Sequence, residues 1–508
     1  MTTRPRMLVL ALVVVVLLAA VPRPGTATRI AGHRPPSHRA GTYGANFTSG
    51  QLITAMSTED GTSRKATDGS TGGAFQITFT CKASDGNFCS KAHAAFDRAA
   101  ARIASELKFR RTITVDLSMF LPCGTTSPDD SCDELTTLGF AMPTQRYMVT
   151  HKDDNLTYLY PTSLLKQLDF PEIDQGRVQF PKYDILARFN SLRNWWFTTD
   201  GTDMTDQQRD LEQVATHELL HGLGYGDDTL MSYRVGTNQM LAPYFDSSAP
   251  SVQPPPEATD SSASVFNGNG FYRFTLPSIW NRFTFLSNKP MTALTASLTA
   301  AIDAGVKSGA IKPSTLLAGN SAATDPVYSP AAVFSYLMAD PPSRATMTQL
   351  YSLGTTNATL QFRPNAFNPP SPQLATAVHN LETNLNPVLD GSSFAHVTQA
   401  ANTTAEFLMV YKATGKSFPV MVSSTKGLQS GIGQSTKDVL VALGYTAAGT
   451  PLRSVANVAT MRPEGLLAKG TTTPPANTGS GASGGMSAAA RSVVVLAVAM
   501  ATAVLLAL

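Results

Sequence analysis

The chain has 508 residues, of which 43% are apolar and 15% charged, and its net charge is +3. That balance suits a folded protein with more than one core-forming unit and excludes a disordered polyelectrolyte. So small a net charge over this length gives no case for nucleic acid as a partner.

Residues 1–27 carry Arg4 and Arg6, then run apolar from Met7 to Val21 past Ala19 and Ala20. A charged start, a short apolar run and a small-residue exit read as a secretory signal peptide. Residues 28–72, basic and then polar, read as a loose arm or propeptide. From residue 73 the pattern tightens. Phe75–Phe79 and Thr112–Leu117 alternate apolar and polar and predict two strands. Between them Ala94, Phe96, Ala99, Ile103 and Leu107 recur near helical spacing and predict a helix over 90–107. Tyr183–Phe189 predicts a third strand, and 206–222 a second helix. Strand, helix, strand, strand, helix implies an α+β fold, one mixed twisted sheet with helices packed on it.

A Pro/Ser stretch over 246–264 starts a region of different texture, with aromatic patches over 271–285 and an Ala-rich helix over 292–305. Residues 246–385 therefore read as a long, largely helical insertion between two ordered subdomains, 73–245 and 386–460. A Thr/Pro/Gly/Ser linker follows over 461–492. The apolar tail 493–508, preceded by small residues over Gly481–Gly485, reads as a GPI-attachment signal with Ser483 as the acceptor. Export of this kind would leave the protein outside the cell, on the plasma membrane or cell wall, bound to the membrane through that lipid. It also predicts that the four cysteines pair, Cys81 with Cys89 and Cys123 with Cys132 being the simplest of three connectivities. The sequons at Asn46, Asn155, Asn357 and Asn402 are candidate glycosylation sites on the same route.

The chemistry concentrates in Asp210-Leu-Glu-Gln-Val-Ala-Thr-His-Glu-Leu-Leu-His-Gly-Leu-Gly224. On a helix, His217 and His221 lie one turn apart on one face and can share a single Zn2+. Glu218 beside them is placed to take a proton from water rather than to bind the metal. A catalytic zinc needs a third protein ligand, and two candidates present themselves. Asp227 follows the helix closely, in Gly-Tyr-Gly-Asp227, with Met231-Ser-Tyr233 just beyond. His396 is distant, in Asp390-Gly-Ser-Ser-Phe-Ala-His396, and is followed by the apolar return Phe407-Leu-Met409-Val-Tyr411.

Phe75–Phe79, Thr112–Leu117, Asp184–Asn190, His217–Gly224, Gly391–His396 and Leu408–Tyr411 together resemble the metzincin metalloproteases, in particular the leishmanolysin-like branch and its secreted relatives. The resemblance implies a metzincin-like catalytic domain, with His217, His221 and His396 as zinc ligands, Glu218 as general base and Met409 as the Met-turn residue. It also makes Tyr411 a candidate contact to the metal or the oxyanion. The implied activity is a zinc endopeptidase acting on protein or peptide substrates, as a monomer. Two departures stand out: 174 residues separate His221 from His396, and cysteines are few. Two other readings compete. One is a catalytically silent, GPI-anchored surface or adhesion protein keeping the same fold. The other is a gluzincin whose third ligand is Glu382, on a helix over 376–385. Glu257 and the insertion as a whole receive no role.

Overall fold

The computed structural model describes residues 73–81, 85–120, 138–201, 203–226, 230–235, 238–243, 245–246, 273–274, 276–313, 328, 330–367, 377–389, 392–425, 427–454 and 459–461. The expected signal peptide, arm and tail lie outside these residues. So do Asn46, Cys123, Cys132, Asp227, Glu257 and Ser483.

The fold is α+β. Strand β1 (Phe75–Cys81) buries Phe75 and Phe79 on one face, as its alternation requires. Helix α1 (Gly86–Glu106) starts earlier than its apolar spacing alone predicts, because the Asp85 carboxylate accepts the Asn87 N–H (2.8 Å) and caps the first turn. Its buried stripe is Ala92, Ala95, Phe96, Ala99, Ala100 and Ile103, small enough for close packing. A Cys81–Cys89 disulfide, Cα atoms 5.8 Å apart, ties the end of β1 to the start of α1. Strands β2 (Ile113–Phe120) and β3 (Gly139–Pro143) follow, then a hairpin of β4 (Arg146–His151) and β5 (Thr157–Pro161), then β6 (Ile185–Asn190). The main sheet runs β1-β2-β6-β3, parallel except for β3, which lies antiparallel at the edge.

Helix α2 (Leu211–Gly222) carries the His-Glu-x-x-His motif and packs on α1, β3 and β6. Its N-terminus is capped by Asp210, which accepts the Gln213 N–H (3.2 Å). Its C-terminal carbonyls are satisfied from outside. The Ser163 hydroxyl donates to Gly222 O (2.9 Å), and the Tyr445 hydroxyl to Leu223 O (2.9 Å). Gly222 lies so close to the sheet that a Cβ there would stand 2.5 Å from Ile185 Cγ2. Gly222→Val is therefore expected to cost on the order of 2 kcal/mol through overpacking. The check is the denaturant midpoint, and a wild-type value would mean that helix and sheet are not held this close.

Further along the chain, helices α3 (Met291–Lys307), α4 (Pro330–Ala339) and α5 (Pro341–Gly354) stack beside a four-stranded antiparallel sheet built from 284–286, 289–290, 360–362 and 379–380. The region read as largely helical thus also contains a sheet, whose central pairing joins Thr284–Leu286 to Leu360–Phe362. Its apolar residues merge with those of the main sheet in one core: Trp280 lies 5.0 Å from Tyr225 and 4.6 Å from Phe362, ring centre to ring centre. Helix α6 (Gln434–Leu443) closes the fold, its first turn held by Glu406, which accepts the Ser435 (2.8 Å) and Thr436 (3.2 Å) N–H groups. Among the described residues no helix is long and apolar enough to cross a membrane.

Candidate metal centre

Helix α2 positions two imidazoles, and a segment far along the chain brings the third. His217 Nε2 and His221 Nε2 are 3.0 Å apart, and His396 Nε2 lies 3.0 Å from the first and 3.2 Å from the second. Among the described residues this is the one His/Cys/Asp/Glu cluster with metal-site spacing. His217 and His396 are buried and His221 half-buried, so the cluster is open on the His221 side.

The far ring nitrogens fix the chemistry of the near ones. His217 Nδ1 meets Leu408 O (2.6 Å), His221 Nδ1 meets Tyr225 O (2.6 Å) and His396 Nδ1 meets Ser392 O (2.9 Å). A carbonyl only accepts, so each Nδ1 carries the proton and each Nε2 presents a bare lone pair. Burial drives His217 and His396 well below the usual imidazole range, each helped by neighbouring rings. Burial also lowers His221 to about 4. All three are neutral at pH 7. Three lone pairs converging at 3.0–3.2 Å repel one another unless a cation lies between them. That spacing is close to the roughly 3.3 Å between nitrogens on a tetrahedral zinc with 2.0–2.1 Å bonds.

Glu218, on the same helix, is buried, and burial pushes its carboxyl up to about 8 against the peptide N–H of Ala141 on β3. Its Oε1 has no hydrogen-bond partner among the described residues. A buried carboxyl oxygen left without a partner, on the residue next to His217, fits a water as its missing partner. The donor set and the orphaned oxygen both fit zinc.

The glycines after the motif earn their places by close approach. Gly224 (φ +97°) would meet the Pro161 ring at 2.9 Å, and Gly226 (φ +79°) would meet Ala395 at 2.8 Å. The second contact lays the chain leaving α2 directly against the segment holding His396. Phe394 itself takes φ +71°, and Gly354 at the end of α5 leaves room for its ring, which a Cβ would approach to 2.8 Å.

Met409 is buried in the 3-10 turn Phe407–Met409, whose Leu408 carbonyl holds His217. Tyr411 is also buried, with the Lys412 ammonium 5.1 Å from its ring. Glu382 does not join the cluster and does not sit on a helix. Residues His379–Asn380 are a strand, Leu381 bridges Val397, and the Glu382 carboxylate accepts the Asn384 (2.7 Å) and Gln399 (2.8 Å) N–H groups. Of the sequons, Asn155 and Asn357 are exposed in turns and Asn402 is half-buried.

Several residues that hold α2 carried weaker signals in the sequence. Glu212 is buried and receives Arg98 Nε and Arg102 Nε of α1, each at 2.6 Å, an arrangement that only the tertiary fold creates. Asp210, the cap of α2, also accepts the Phe418 N–H (2.7 Å), and burial raises its carboxyl to about 6.

No curated protein and no solved structure matches the chain. A family described as SPBPB7E8-like matches residues 50–480. With that span covering most of its 508 residues, the chain belongs to the SPBPB7E8-like family.

Proposed function

We propose that the protein is a zinc-dependent endopeptidase of metzincin type, with His217, His221 and His396 as metal ligands and Glu218 as general base. The observation that carries this reading is the convergence of three Nε2 lone pairs within 3.0–3.2 Å, each fixed by a carbonyl behind its ring. Zinc bound there would supply Lewis acidity, making water a stronger acid and a peptide carbonyl a better electrophile. Glu218 Oε1 then accepts the proton of the attacking water and delivers it to the departing amine nitrogen. Burial favours the protonated carboxyl, which suits the second half of that exchange, and a cation held by the three imidazoles would favour the carboxylate that the first half needs. The Leu408 carbonyl keeps His217 in the ligating tautomer, and buried Met409 fills the floor of the turn beneath it, the part a Met-turn plays. The edge strand β3 reaches the site through Ala141, so an extended peptide laid along it would run past Glu218. Outward export follows from the reading of residues 1–27 and 493–508, and the Cys81–Cys89 bridge supports an oxidising compartment.

Zinc analysis of the purified chain tests this directly. One zinc per chain is expected, together with cleavage of casein or gelatin. Chelation should abolish cleavage and lower Tm, because a ligand at 1,000 times its Kd stabilises the folded state by roughly 4 kcal/mol. A chain that takes up no zinc at micromolar metal sinks the reading.

A further inference from the structure

Glu382 is buried, with 1% of its surface exposed, yet it touches neither the three imidazoles nor Glu218. Its contacts all serve the segment carrying His396. The Glu382 N–H donates to His396 O (2.8 Å), and the Phe394 N–H donates to Glu382 O (3.0 Å). One carboxylate oxygen accepts the Gln399 N–H (2.8 Å), three residues beyond the histidine. The other accepts the Asn384 N–H (2.7 Å) and fixes the carboxylate to its own strand. The ladder continues on the far side, where the Val397 N–H donates to Met409 O (2.9 Å) and the adjacent Leu408 O holds His217 Nδ1 (2.6 Å). Three segments are thus laid side by side through the bridges Leu381–Val397 and Val397–Val410, with the third imidazole on the middle one and a clamp on the first imidazole at the outer one.

We infer that Glu382 is the positioning residue of the metal centre: with its peptide and its carboxylate it holds residues 394–399 in register, so that His396 Nε2 reaches His217 and His221. This rests on the metal reading above. A buried carboxylate whose two oxygens are taken up by peptide N–H groups is costly to alter, since any replacement leaves a donor unmatched. Glutamine keeps the shape but offers one acceptor oxygen and an NH2 group, so either Asn384 or Gln399 then faces a donor. The local slack would fall on the middle segment and its imidazole.

The test compares the full-length wild type with Glu382→Gln and Gln399→Pro. The second variant removes the same hydrogen bond from its other end. Proline fits there because Gln399 opens a 3-10 turn and Thr398 before it has ψ 144°. Zinc affinity is read by competition with a chromogenic chelator, the rate of zinc release by adding excess EDTA, and the coordination sphere by the visible spectrum of the Co2+ form. The Tm of the metal-free protein is the control for a purely structural role. Both variants are expected to bind zinc roughly 10- to 100-fold more weakly, the usual effect of losing an outer-sphere partner, with faster release and an altered Co2+ spectrum. The metal-free Tm should fall by only a few degrees, the effect of one unmatched buried donor, while zinc affinity falls by the larger factor. Wild-type affinity, release rate and spectrum in both variants would overturn the inference, as would a lowered metal-free Tm with zinc binding intact. If Glu382→Gln does not fold, Gln399→Pro decides by the same criteria. A wild type that binds no zinc overturns the metal reading itself, an outcome seen before any variant is compared.

Discussion

Glu218→Gln should bind zinc as the wild type does and cleave peptides at least roughly 100-fold more slowly, with a loss of up to about 10,000-fold within the range of general-base removal. The argument is local. Glu218 Oε1 is buried without a partner among the described residues, so its free electron pair serves no structural contact. Glutamine fills the same volume and keeps an oxygen for the Ala141 N–H, but it has no basic site for the water proton. Because the imidazoles take their backing from Leu408, Tyr225 and Ser392, none of their supports is lost. Zinc content should therefore stay at the wild-type level while kcat falls. Wild-type turnover in this variant would remove Glu218 from the chemistry.

His396→Ala is expected to act on the other quantity. Removing one of three nitrogen donors should weaken zinc binding by more than the roughly 100-fold that an outer-sphere partner is worth, with activity lost in proportion. Asp227→Ala, the rival third ligand by sequence, should leave affinity unchanged, since the His396 ring already completes a set with 3.0 and 3.2 Å spacing. Equilibrium dialysis against zinc separates the two outcomes. Retained affinity in His396→Ala with loss in Asp227→Ala would transfer the role to the carboxylate.

Much of the main sheet and the first two imidazoles of the candidate centre were legible from local pattern. Phe75–Phe79 and Thr112–Leu117 advertise strands through period-two alternation, and His217 and His221 a shared face through one turn of a helix, because each signal lies within a dozen residues. His396 drew attention as a histidine after a Gly-Ser-Ser loop with the apolar return at Met409 behind it, and the resemblance favoured it while Asp227 stayed open as an alternative. The choice is made by contacts that no short window contains: Gly226 against Ala395, Gly354 against Phe394, and Glu382 against Gln399. The competing gluzincin reading, with Glu382 on a helix as third ligand, fails for the same reason. An isolated glutamate can pass for a ligand on a helix, whereas its partners are peptide groups brought to it by strand pairing. The sheet within the insertion escaped notice because Thr284–Leu286 pairs with Leu360–Phe362, some seventy residues later, and each strand is only three residues long.

His217 and His396 are 179 residues apart in the chain. At a synthesis rate of roughly 5–20 residues per second, about 10 to 40 seconds pass between the emergence of the first imidazole and that of the last. Throughout that interval the nascent polypeptide holds only two of its three donors, and its general base has no activated water to act on. On the proposed function, a hydrolase completed this late would be harmless to the ribosome that makes it, and fragments that terminate before residue 396 would stay inert.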